Sequence, residues 1–156
     1  MPMLDADDLP LWYALNRLIV NYWAEVDNNA GREAHEFYFP NALYAVGNNR
    51  FEGVEKIRAF YTRRRQFSQP TTRHLVTNLR LLKDDEPPVV VGLMSLYRAD
   101  GRPPIQGVRP PAMIADFEAR CASAEDGSWR FQSHLLRPIF VSSDLPASIS
   151  IDPKRL

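Results

Sequence analysis

Asp27 and His74 are the side chains best suited to chemistry in this chain. A carboxylate that orients an imidazole and stabilises its protonated form makes an effective general base near neutral pH. Asp27 closes the first run of helical spacing, beside Asn28 and Asn29, and His74 sits early in an alternating stretch, Thr72-Arg73-His74-Leu75-Val76-Thr77-Asn78. Only a fold that carries that helix end to that strand makes them a dyad. Without it, Asp27 is a helix-end or turn residue and His74 a hydrogen-bonded sheet histidine.

Other candidates follow from position. Tyr22 and Trp23 lie on the helix just before Asp27, and Tyr22 is either core packing at helical spacing or a phenol able to donate to a developing oxyanion. Period two puts Val76 and Asn78 on the face of His74, so Asn78 either joins the site or supports its backbone. His134 shares a face of the last strand with Arg130, Gln132 and Leu136, against Trp129, Phe131, Ser133 and Leu135 on the other. Both faces mix polar and apolar groups, so alternation leaves open whether His134 enters the interior or an outer surface. His35 reads as exposed. The three histidines have no local ligand spacing, and no metal is assigned. A Gly-rich phosphate loop and a Gly-x-Ser-x-Gly elbow are both missing, and Cys121 lies in an apolar strand, which sets phosphoryl transfer and covalent hydrolysis aside.

The elements that must position these residues are legible in the periodicity. Leu11, Leu15, Leu18, Ile19, Tyr22, Trp23 and Val26 recur at three- and four-residue spacing, which predicts an amphipathic helix ending near Asp27. A shorter helix is expected from Gly31 to Tyr38, a short strand from Ala42 to Val46 with a hairpin into Arg50-Phe51, and a third helix from Gly53 to Phe67. The arginines of that third helix read as a solvated face. From Thr71 the pattern turns to period two, with strands expected at Thr72 to Leu82, Val89 to Tyr97, Ala112 to Cys121 and Trp129 to Val141. Turn-like connectors make these an antiparallel meander, and helices followed by a long sheet give an α+β class. One domain over 1–156 accounts for the chain, with 142–156 a loose or partner-bound tail.

Composition narrows the partners. Lys plus Arg and Asp plus Glu both number 19 in 156 residues, so there is no basic footprint for nucleic acid or an anionic membrane. A lone cysteine forms no intramolecular disulfide, and the N-terminus lacks the pattern of a signal peptide, so a cytoplasmic location is expected.

Val26-Asp27, then helix, strand and helix, then His74-Leu-Val-Thr77-Asn78-Leu79-Arg80-Leu81 resembles the SnoaL-like branch of the nuclear transport factor 2 superfamily over residues 8 to 140. The resemblance implies a curved, cone-shaped antiparallel sheet packed against about three helices (nuclear transport factor 2-like, cystatin-like). Asp27 and His74 match the catalytic pair of scytalone dehydratase and hexachlorocyclohexane dehydrochlorinase. The resemblance therefore implies a lyase or isomerase that needs no cofactor and acts on a small hydrophobic, possibly cyclic molecule. It also implies a homodimer or higher homo-oligomer. Arg120 lies where the dehydrochlorinase has an arginine that helps the leaving group. The second pocket histidine of scytalone dehydratase has no counterpart in Val89 to Tyr97, and the dehydrochlorinase lysine is replaced by the Tyr22-Trp23 region. On this reading Asp27, His74 and Tyr22 are catalytic, and Trp23, Asn78, Arg120 and His134 bind substrate. The Thr72 to Asn78 stretch also resembles the small subunit of ring-hydroxylating dioxygenases, which implies instead a non-catalytic ligand-binding or assembly role.

Overall fold

The computed structural model describes residues 5–107 and 109–143. The chain opens with a 3-10 turn, Ala6–Asp8, closed by a reciprocal capping box between Asp5 and Asp8. Helix α1, Leu9–Asn28, begins with Pro10 in its first turn, where the missing N–H costs nothing. It buries Leu15, Leu18, Ile19, Tyr22, Trp23 and Val26, the stripe the spacing predicts. At roughly 1.5–3 kcal/mol for each fully buried apolar side chain, that stripe is what holds α1 against the sheet.

Six strands and a second helix are arranged around it. β1 is Tyr38–Val46, β2 is Asn49–Glu52, and helix α2 is Val54–Phe67 with Ile57 and Tyr61 buried one turn apart. β3 is Pro70–Leu82 and β4 is Val89–Asp100. β5 is Met113–Ser123 and β6 is Trp129–Val141, completing one six-stranded sheet in the order β2-β1-β6-β5-β4-β3. The sheet curls without closing. Gly92 of β4 lies where neighbouring strands leave no room for a side chain: a Cβ there would lie 2.8 Å from Leu79 Cδ2 and 2.9 Å from Phe117 Cε1.

Three expectations are corrected. The short helix over Gly31 to Tyr38 is only a 3-10 turn, Ala34–Phe37; from Tyr38 the chain is already extended and runs through Pro40 as β1. The described residues thus hold two α-helices rather than about three. The meander is antiparallel from β3 to β6, but β1 pairs with β6 in parallel, so the sheet is mixed. Alternation within each strand carries no information about where the β1–β2 hairpin docks. The tail expected over 142–156 lies outside the described residues from 144 onward.

Two irregularities decide which side chains face inward. In β3 the register shifts between Thr77 and Arg80, with Asn78 at φ 54°, so Thr72 and His74 face the helices before the bulge and Leu81 after it. In β6 the pairing steps from Cys121↔Phe131 to Arg120↔Ser133, leaving Gln132 extra and putting Phe131, His134 and Leu136 all inside. No described helix is long and apolar enough to cross a membrane.

Candidate active site

The C-terminal end of α1 meets the start of β3, and there Asp27 and His74 form a hydrogen-bonded pair. His74 Nδ1 lies 2.6 Å from Asp27 Oδ1, with the two side chains 6% and 7% exposed. Asp27 accepts two more bonds, from the His74 backbone N–H to Oδ2 at 2.8 Å and from Thr72 Oγ1 to Oδ1 at 2.9 Å. One carboxylate therefore ties helix to strand and fixes the imidazole together. With Nδ1 committed to Asp27, Nε2 is the nitrogen left to meet a ligand.

Burial works against both charges. It raises the Asp27 carboxyl, but the side-chain bond and charge of His74, its backbone N–H and Thr72 outweigh it, and the net shift is downward. His74 is lowered, by burial first and then by the guanidinium charges of Arg64 and Arg98, against the opposing pull of Asp27. The pair at neutral pH is a carboxylate beside a neutral imidazole, the protonation state a general base requires.

Trp23 stacks on His74 with ring centroids 4.2 Å apart and planes 13° from parallel. Its ring also approaches His134, with centroids 5.5 Å apart and planes tilted by 59°. His134 is wholly buried, stacked on Phe131 at 4.6 Å, and its Nδ1 lies 2.9 Å from Tyr38 Oη. Burial and then the nearby His74 depress its pKa to about 3, so this second imidazole is neutral at neutral pH. Trp23 Nε1 and His134 Nε2 are both buried without a hydrogen-bond partner. Two such polar atoms near the dyad are an arrangement that a ligand's own polar groups would satisfy.

Tyr22 is fully buried and hydrogen-bonded through its hydroxyl to Tyr61. Its ring touches Trp23, Tyr38, Phe131 and His134 edge-on. Burial, followed by the neighbouring Tyr38 and Tyr44, pushes its pKa well up, so it is a neutral phenol set in an aromatic wall. Asn78 does not share the face of His74: the bulge at its positive φ turns it to the outer side of the sheet, where it lines a groove with Arg80 and Val91. Arg120 also faces outward, between the buried Ala119 and Cys121, and donates from Nη1 to the Pro87 carbonyl at 3.2 Å. His35 is half-buried rather than exposed, with Nε2 3.0 Å from Arg58 Nη2.

The structure thus brings Asp27, His74, Trp23 and His134 together, with Tyr22 behind them, and leaves Asn78 and Arg120 outside. Sequence reasoning missed Tyr38, which it placed in a helix, and Thr72; the β-branched Thr two residues before His74 on the same face was the available signal. No three His, Cys, Asp or Glu side chains among the described residues converge as metal ligands do.

No protein-family model and no curated protein matches the sequence. Solved structures do match in shape. A scytalone dehydratase candidate from Novosphingobium aromaticivorans superimposes with TM-score 0.71 at 16% identity, over 85% of this chain and 87% of that one. A Catenulispora acidiphila protein in complex with S-DNPA gives TM-score 0.71 at 13% identity, over 83% and 94%. Nuclear transport factor 2 from Cryptosporidium parvum gives 0.62 at 13% identity, over 79% and 90%. Helices lodged in a curled mixed sheet, matched over most of each chain, give this protein the nuclear transport factor 2-like fold.

Proposed function

We propose that the protein is a lyase or isomerase that needs no cofactor, and that His74 removes a proton from a carbon of a small, largely apolar substrate. The observation that carries this reading is the 2.6 Å contact between Asp27 and the Nδ1 of a buried, neutral imidazole. As the C–H bond breaks, its proton passes to His74 Nε2 and the resulting imidazolium is stabilised by Asp27. The electron pair then either forms a double bond as a neighbouring substituent leaves, or shifts along the substrate. His74 returns the proton to the leaving group in the first case and to another carbon in the second.

The surroundings support the same assignment. Trp23 covers one face of the imidazole and keeps water from it. If Tyr38 donates to His134 Nδ1, the neutral His134 carries its proton on Nε2. It then offers, with Trp23 Nε1, a hydrogen bond to charge developing on a substrate oxygen.

Elimination from 5-nitrobenzisoxazole tests this directly, because that reaction needs only a base in an apolar site. The wild-type protein is expected to accelerate it, and His74→Ala to return it to the buffer rate with an unchanged circular-dichroism spectrum. Full activity in a folded His74→Ala protein would move the assignment to a ligand-binding or assembly subunit, in which Asp27 serves only to tie α1 to β3. The protein is further proposed to act in the cytoplasm as a homodimer joined through the outer face of the sheet.

A further inference from the structure

A pocket of about 190 Å³ adjoins the dyad on its Asp27 side, between the C-terminal ends of α1 and α2 and the start of β3. Asp27, Arg32, Arg64, Arg65, Ser68 and Thr72 line it. A fourth guanidinium reaches the same place from β4, where Arg98 Nη2 donates to Ser68 Oγ at 2.9 Å. Arg98 Nη1 is buried without a partner. We infer that this pocket receives a compact oxyanion, a carboxylate or a phosphate, carried by the ligand of the neighbouring Asp27–His74 site.

Four arginines from three segments of the chain converge here, and among the described residues none of them has a carboxylate within ion-pair distance. Backbone and neutral groups hold them instead. Arg65 donates to the Ala30 carbonyl and Thr62, Arg32 donates to the Asn29 carbonyl, and Arg64 lies over the Tyr61 ring at 5.9 Å. Their mutual repulsion registers: Arg65 is lowered by burial and then by Arg32, and Arg98 by burial and then by Arg64. A helix C-terminus favours cations in its last turn, which accounts for Arg64 and Arg65 but not for Arg98 and Arg32. Such crowding is stabilised by an anion, and guanidinium forks suit the oxygens of carboxylate and phosphate.

The nearby acids do not fill that role. Asp27 already holds three donors on its two oxygens, from Thr72 and His74, and makes no hydrogen bond to any of these arginines. Glu25 accepts from the Asn29 side chain and the Glu33 backbone N–H, and acts on Arg65 only at a distance. Asp100 acts on Arg98 in the same remote way. Ser68 Oγ, which accepts from Arg98, keeps its own proton to donate to an anion.

The placement rests on the proposed active site and adds to it. A ligand anchored here by its anion would extend its apolar part toward His74 and Trp23. By offsetting the charges of Arg64 and Arg98, which hold His74 down, it would also raise the basicity of His74 when bound. The substrate class narrows to an apolar molecule bearing one carboxylate or phosphate.

Calorimetric titrations at neutral pH with 1-naphthoate, 1-naphthyl phosphate and uncharged 1-naphthamide decide the point. The wild-type protein is expected to prefer at least one anion over the amide by about ten-fold or more, the worth of one good charge-assisted contact. Which anion wins assigns the group. Arg64→Gln and Arg98→Gln should each remove most of the preference, while His74→Ala retains it. Absence of binding by either anion, equal binding of the amide, or a preference that survives both arginine substitutions would overturn the inference. Should the preference hold while benzisoxazole elimination is absent, the anion site stands and the proton-abstraction reading fails.

Discussion

On the proposed reading Asp27 carries two loads, structural and catalytic, and substitution separates them. In Asp27→Asn the side chain keeps one acceptor for Thr72 or the His74 backbone but loses the charge that stabilises an imidazolium. Elimination activity is expected to fall by roughly 10²–10⁴, the usual range for disabling a general base. Stability should fall by about 1–3 kcal/mol in urea melts, the cost of leaving buried partners poorly satisfied. An activity loss no larger than the stability loss explains would leave Asp27 with only its structural load. The pH dependence adds a second check. His74 is depressed, so activity should persist below the ordinary imidazole pKa of 6.5 and decline only as His74 finally protonates. In Arg64→Gln one of the charges that depress it is gone, and the acid limb of the rate profile should move toward higher pH.

The connections between elements are where precision enters. Gly31, at φ 69°, passes so close to α2 that a Cβ would lie 2.4 Å from Tyr61 Cδ1. Gly31→Ala combines backbone strain with overpacking, and a loss of about 2–4 kcal/mol in chemical denaturation is expected. The displaced Tyr61 would also release Tyr22, its partner, and so loosen the wall behind His134. A stability equal to wild type would mean that Tyr61 swings aside freely. The helix α1 and the four long strands are legible in the sequence because each has an unbroken period of apolar residues, and Asp27 and His74 are legible because each sits at the end or opening of such a run. The inward turn of His134 and the outward turn of Asn78 are not. Each depends on a single extra residue in a strand, at Gln132 and near Asn78, and one added residue reverses every face beyond it. The parallel seating of β1 on β6 and the convergence of Arg32, Arg64, Arg65 and Arg98 are products of tertiary packing, with no trace in local spacing.

His134 couples the interior to acid. Its folded pKa is depressed to about 3 from 6.5, so between those values the unfolded chain binds a proton that the folded chain refuses. Stability therefore rises with pH through that window and is lost as pH falls through it, by an amount on the order of a few kcal/mol. His74, also lowered, acts in the same direction. In His134→Leu the decline in stability from pH 6.5 to 3 should be shallower than in wild type, whatever its absolute value; an unchanged slope would mean that water reaches His134 when it protonates. The outer face bears on how the whole protein assembles. Leu75, Ser95, Ile114 and Phe140 pair across β3, β4, β5 and β6 to form one outward row, with Leu75 48% and Phe140 66% exposed. Beside it, a groove holds Arg80 and Arg137 together with Asp116 and Glu118, both signs of charge on one surface. A face that is apolar in one row and mixed in charge in the next can complement a copy of itself about a two-fold axis. Sedimentation velocity at micromolar concentration should then give a dimer for the wild type and a monomer for the Leu75→Glu, Phe140→Glu double variant. Because both side chains already face solvent in the protomer, that variant should keep its fold and its elimination activity. A wild-type monomer would refute assembly through this face, and a variant dimer would place the contact elsewhere.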